Sequence, residues 1–269
     1  MSAVPSLAIV AGGGEFPDMV AAEATKRGTR VFAVRLANDA EAHTLQGYEG
    51  IWAKPERMGA IFETLRANGV ADIVLIGRMK RPRLFSLRPD FTTLRLLPKI
   101  IPALCFGGDD ELLRRVRAVL ENEGFRLHGA HEYLDTLLVT EGALGRVVPD
   151  ATYIADIAVG AEAARRHGAR DEGQAVIVCG GQVVAEEDVA GTDALIERHG
   201  QKGAVLVKTA KPQQDRALDM PAIGINTIKA CAAKGMAGIA IEAGATLVGD
   251  KKATIDLADR LGLFVVGIK

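Results

Sequence analysis

The sequence predicts an α/β protein built as two domains. Three observations predict it. Short continuous apolar runs recur along the chain, as strands buried on both faces require. Segments with apolar residues at helical spacing fall between them, the order that parallel sheets covered by helices produce. The length of 269 residues, 48% of them apolar, allows a sizeable core in each of two domains of ordinary size.

The first strand is the run SLAIVA at 6–11, and the glycines of GGGEFP end it. A helix follows at 18–27, a strand at 29–36 (TRVFAVRL), a helix at 58–68 and a buried strand at 71–76 (ADIVLI). This alternation makes residues 1–138 a Rossmann-like nucleotide-binding domain at the level of architecture. Within it, 78–104 changes character: basic and large apolar residues interleave, prolines interrupt, and Asp90 is the lone acid. A charged helix at 109–123 follows, then one more strand and a loop in FRLHGAHEYL. Residues 139–150, low in hydrophobicity, read as a linker. The second domain, 151–269, has strands at 175–179, 183–185, 204–207, 238–241 and 264–267. Helices lie at 154–166, 192–199, 227–234 and 251–261.

Composition narrows the function. The formal net charge of -1 argues against a dedicated nucleic-acid binder, whose affinity comes largely from phosphate neutralisation. Cys105, Cys179 and Cys231 are scattered, with neither a disulfide framework nor a zinc ribbon, which fits a reducing compartment. The N-terminus does not read as a signal peptide and no apolar run approaches a membrane span. A cytoplasmic protein is expected.

Six motifs carry chemistry. Gly12, Gly13 and Gly14 follow the first strand, where glycines let backbone approach a phosphate. The pattern is GGGxxP, which disfavours a dinucleotide site. The stretch 78–104, Lys80 included, suits phosphates, an acyl chain or an anionic membrane surface, against the plainer reading of a packed loop. Asp109 and Asp110 either cap a helix or hold Mg²⁺. His128, His131 and Glu132 read first as polar residues at a strand end, with a substrate contact by His131 or Glu132 kept as the lesser alternative. Thr192 either caps its helix or meets a phosphate. Lys208, Lys211, Asp215, Arg216 and Asp219 crowd the end of an apolar strand. Two carboxylates among cations suit phosphoryl chemistry, and Asp215 and Asp219 share a face only if their segment turns helically.

These residues resemble those of the LpxI family, pyrophosphatases of lipid A biosynthesis in Gram-negative bacteria. The segments LAIVAGGGEFP, LIGRMKRPRL, GGDDELLRRV with EGFRLHGAHEYL, ADIAVGAEAA, AGTDAL, VLVKTAKPQQDRALDMPAIG and AGIAIEAGATLVGD occur in order from residue 7 to about 250. The resemblance implies hydrolysis of UDP-2,3-diacylglucosamine to UMP and 2,3-diacylglucosamine 1-phosphate (lipid X), with water attacking the sugar-side phosphorus. It implies a nucleotide-linked glycolipid substrate held in a cleft between the two domains. It implies dependence on Mg²⁺, or Mn²⁺ in its place. By it, Gly12–Gly14 contact the uridine nucleotide and Asp215 and Asp219 bind metal or position water. Lys208, Lys211 and Arg216 meet phosphates. The sequence departs from the expected pattern at Gln213, where the family has glycine, and Asn226 is a neutral amide where a carboxylate would bind metal better. Contact with the inner membrane and a homo-oligomer stay open. So do a non-catalytic carrier of nucleotide-linked lipids and a Rossmann-type nucleotide-sugar enzyme.

Overall fold

A computed structural model describes residues 5–79, 88–106 and 108–269. The chain forms two compact units. The first is Met1–Asp135 with Asp215–Asp219; the second is Thr136–Gln214 with Met220–Lys269.

The first unit contains β1 (Ser6–Ala11), α1 (Phe16–Lys26), β2 (Arg30–Leu36), β3 (Gly50–Ala53), α2 (Met58–Ala67), β4 (Asp72–Ile76), α3 (Phe91–Phe106), α4 (Asp109–Asn122) and β5 (Arg126–His128). The strands make one parallel sheet in the order β3-β2-β1-β4-β5. The order reverses between β1 and β4, so the turns after these strands sit where such sheets bind ligands. Ala8, Phe32, Ile73, Phe62, Leu65, Leu96, Val119 and Phe125 pack together as the core on one face.

Two elements of this first unit escaped the sequence reading. β3 has four residues, and Gly50 approaches β2 so closely that a Cβ would lie 1.9 Å from the Ala33 carbonyl oxygen. α3 contains Pro98 and Pro102, which argued for interruption; both face outward. Asp90 nucleates this helix, its carboxylate accepting the Thr93 amide at 2.7 Å, and Thr93, Leu96, Ile100 and Ala103 form the buried stripe.

The second unit holds β6 (Gly142–Ala143), α5 (Ala151–Ala169), β7 (Ala175–Cys179), β8 (Gln182–Glu186), α6 (Gly191–His199), β9 (Val205–Lys208), β10 (Ala222–Ile223), α7 (Ile225–Ala233), β11 (Gly238–Glu242), β12 (Leu247–Val248), α8 (Lys251–Arg260) and β13 (Phe264–Ile268). Its main sheet runs β6-β13-β11-β9-β7-β8, with β9, β11 and β13 parallel and β6, β7 and β8 added antiparallel. Alternate residues face opposite sides. Val176, Val178, Val205 and Val207 meet α5, while Ile177, Leu206, Ile239 and Ile241 meet residues of α6, α7 and α8.

The expected linker at 139–150 is built into this second unit. Val139 is buried in its core, β6 pairs with β13, and Asp259 accepts the amides of Arg146 and Val147. A two-residue edge strand held by backbone and one carboxylate needs few apolar residues, so it reads as linker. No helix among the described residues is long and apolar enough to cross a membrane.

Candidate active site

The glycine turn follows β1 directly. The Gly12 amide donates to the Ile76 carbonyl at 2.9 Å and the Gly13 amide to the Arg78 carbonyl at 2.8 Å. The Gly14 amide donates to the Glu41 carboxylate at 3.0 Å. That hydrogen bond, with others from the loop, holds the Glu41 carboxyl below its ordinary range. A Cβ on Gly12 would lie 2.3 Å from the Arg78 carbonyl oxygen, so glycine is required by the close passage of the β1 and β4 ends. The three amides are thus engaged by the protein itself. A ligand here would meet the Cα faces of the turn.

The motif HGAHE divides into two roles. His128 lies between Asp72 (2.8 Å) and Glu132 (3.1 Å), and Arg126 grips both oxygens of Asp72. Burial alone would lower the His128 pKa, but these hydrogen bonds outweigh it and raise it. This is a polar cluster at a strand end, as the plainer reading expects. His131 sits in the short 3₁₀ turn Ala130–Glu132, and its Nδ1 is buried without a hydrogen-bond partner among the described residues. Its ring packs on Gly129, whose missing Cβ would also lie 3.2 Å from the Ala217 Cα. His131 therefore stands beside the turn that carries Asp215 and Asp219.

That turn meets the condition set by the sequence. The Leu218 and Asp219 amides donate to the Asp215 carbonyl at 2.8 and 3.1 Å, one turn of helical hydrogen bonding that sets the two residues on the same side of the turn. Leu218 is buried in the first unit's core. Asp215 is committed on both oxygens: Arg117 binds Oδ2 and the Ala217 amide binds Oδ1 at 3.0 Å. Arg216 is exposed.

The charges that are adjacent in sequence are divided by the fold, since Lys208 and Lys211 belong to the second unit. Lys208 ends β9 and is 7% exposed; its Nζ donates to Thr192 Oγ1 at 3.1 Å and to the Ala222 carbonyl at 3.4 Å. Lys211 forms an ion pair of 2.5 Å with Asp171. The departure at Gln213 has a local use, because its side-chain amide donates to the Gly168 carbonyl at 2.8 Å. Asn226 is exposed in the first turn of α7.

Asp110 is buried in the first turn of α4. Lys80 and the side chain of Asp109 lie outside the described residues. Among those described, no group of three or more His, Cys, Asp and Glu side chains gathers as a metal cage. Mg²⁺ keeps several waters and takes one or two carboxylates together with substrate phosphate oxygens. Two carboxylates on one turn fit an ion shared with a phosphate ligand, and Asp215 is already bound to Arg117. Sequence reasoning missed Arg117, Asp171 and Glu41, which meet Asp215, Lys211 and the Gly14 amide far away along the chain, and Glu187, which meets Thr192 five residues on. Only the acidic run before AGTDAL hinted at Glu187.

The chain matches the model of the LpxI N-terminal domain over residues 6–137 and that of the LpxI C-terminal domain over residues 140–266. It is 39% identical over 273 residues to UDP-2,3-diacylglucosamine pyrophosphatase LpxI of Caulobacter vibrioides, covering 97% of each chain. A solved structure, glycinamide-RNase-transformylase T from Mycobacterium tuberculosis, is 17% identical and aligns over 68% of this chain and 44% of its own. Its TM-score of 0.25 carries no argument about fold or function. With both domain models matched in order and a relative similar from end to end, the chain belongs to the LpxI family.

Proposed function

We propose that this protein hydrolyses the pyrophosphate bond of UDP-2,3-diacylglucosamine, releasing UMP and 2,3-diacylglucosamine 1-phosphate. The full-length similarity to the Caulobacter vibrioides pyrophosphatase carries the reading. Two features of the molecule support it: a buried ammonium on Lys208, and two carboxylates on the turn pinned by Leu218.

In the proposed roles, Asp219 takes the proton of the attacking water, and Asp215, held by Arg117 and the Ala217 amide, anchors the turn. The water oxygen bonds to the sugar-side phosphorus as the bridging P–O bond breaks and UMP leaves. Lys208 donates to phosphate oxygens as their charge grows, with Lys211 and Arg216 adding positive potential. His131 offers an imidazole beside the same turn, and Gly12–Gly14 meet the nucleotide through their Cα faces. Dependence on Mg²⁺ is part of the proposal; bound through Asp219, with Asp215 as the second carboxylate, the ion would neutralise phosphate charge and polarise the phosphorus. Exposed Phe91 and Leu94 beside Arg95 and Lys99 on α3 suit contact with an anionic membrane, where a diacylated substrate resides.

The test is UMP release from UDP-2,3-diacylglucosamine by purified protein, with Mg²⁺ and after EDTA. Metal-dependent release is expected. Release that survives EDTA would remove the metal from the proposal. Binding without turnover would make the protein a carrier, and neither binding nor release would overturn the reading.

A further inference from the structure

A buried hydroxyl in the second unit stands between a buried carboxylate and a buried ammonium. Glu187 is 8% exposed and Lys208 is 7% exposed, yet among the described residues neither forms an ion pair. Thr192 Oγ1 lies 2.5 Å from Glu187 Oε1 and 3.1 Å from Lys208 Nζ. The other Glu187 oxygen accepts the Gln174 amide at 2.8 Å. His167 Nε2 lies 2.7 Å from the Glu187 carbonyl oxygen and fixes the backbone there.

Hydrogen-bond chemistry sets the direction of this chain. An ammonium only donates, an ionised carboxylate only accepts, and a hydroxyl has one proton. Lys208 therefore donates to Thr192, and Thr192 donates to Glu187. Thr192 has no proton left for a substrate, so it holds Lys208 rather than contacting a phosphate itself. Of the three Nζ protons, one serves Thr192 and one the Ala222 carbonyl, which leaves the third for an anion.

We propose that Glu187 is a positioning residue for the anion seat at Lys208, acting through the Thr192 hydroxyl. The proposal rests on the pyrophosphatase reading above for the identity of the anion, a pyrophosphate. Glu187 orients the hydroxyl so that its lone pairs face Lys208, which fixes the ammonium without neutralising it by direct pairing. A carboxylate acting merely as a nearby charge has the opposite effect: it weakens anion binding, and neutralising it strengthens binding. The sign of the Glu187→Gln effect therefore separates the two roles. Thr192 and the Gln174 amide donate to different oxygens of Glu187, and glutamine keeps an oxygen at only one of those two places, so one of the two hydrogen bonds is lost.

The experiment is calorimetric binding of inorganic pyrophosphate in Mg²⁺, with steady-state kinetics beside it, on the full chain. Glu187→Gln and Thr192→Val should each weaken pyrophosphate about tenfold, the loss of one oriented charge-assisted hydrogen bond, and raise KM more than they lower kcat. Thr192→Ser should recover most of the affinity lost in Thr192→Val. The double variant should be no weaker than either single variant, because the two residues act in one chain. Unchanged or tighter binding by Glu187→Gln, or additive losses, would overturn the proposal. If Glu187→Gln fails to fold, Thr192→Val and its serine rescue decide alone. Wild-type protein that binds pyrophosphate without releasing UMP refutes the reaction and keeps the seat. Release of UMP without pyrophosphate binding refutes the seat and keeps the reaction.

Discussion

Arg117 on α4 grips the carboxylate of Asp215, 98 residues further along the chain. Its hydrogen bonds to Glu121 first and Asp215 second raise the guanidinium pKa, so Arg117 stays charged. Together with buried Leu218, this contact fixes the turn that carries Asp219. Asp215 thereby anchors the turn, and in the proposed reaction Asp219 is the reacting group.

Replacing the anchor's partner should cost rate more than stability. The pair is partly exposed, with side chains 33% and 25% accessible, so its loss should cost about 1 kcal/mol or less. Arg117→Met should lower kcat about tenfold by loosening the turn. Paired kinetics and thermal melts check this; a large fall in Tm with unchanged kcat would assign Arg117 to stability alone.

The two aspartates should separate in their effects. Asp219→Asn should lower kcat about 10²-fold or more, as expected for removal of a group acting on the reacting atoms. Asp215→Asn keeps an oxygen for the Ala217 amide and should cost less. Steady-state assays of both variants decide the order, and the reverse order would exchange their roles.

Leu218→Ala should destabilise the protein by about 2–4 kcal/mol, since it empties a buried core position. The same variant should lower kcat, because that side chain roots the turn in the core. Denaturant unfolding and kinetics on one preparation measure both.

The His128 cluster predicts a pH dependence. His128 is raised above its ordinary 6.5, so its contribution is fully present below that value and is lost as pH rises through the folded-state value. Asp72, held down by Arg126 first, and Glu132, held down by the Gly129 amide and His128 against burial, contribute above their ordinary 3.8 and 4.5. Those contributions are lost as pH falls through the folded-state values. The cluster should therefore stabilise most between 4.5 and 6.5. The Tm gap between wild type and His128→Asn should shrink as the pH rises above 6.5 through the folded-state value; a constant gap would contradict this.

Gly12→Ala should destabilise by about 1–3 kcal/mol or more, because the new Cβ meets backbone and not a flexible side chain. Chemical denaturation checks it, and an unchanged midpoint would mean that the β1 and β4 ends can part.

Much of this was legible from sequence. The strands at β1, β2, β4, β7, β9, β11 and β13 announced themselves as continuous apolar runs, because a strand covered on both faces needs apolar residues at every position. β3 and α3 did not: β3 is held by a close backbone approach at Gly50, and α3 tolerates two prolines on its exposed side. The residues 139–150 looked like a linker because backbone pairing, not apolar packing, builds them into the second unit.

The sequence by itself determined the fold class, the parallel first sheet and the family, since these follow from local hydrophobic pattern and motif order. It also named the residue types suited to phosphate chemistry. Only the tertiary structure decided their division of labour. Arg117 bound to Asp215, Asp171 bound to Lys211, and Thr192 between Glu187 and Lys208 each depend on which donors meet which acceptors. Such pairings are set by packing across distant segments, and a linear order of charges does not encode them.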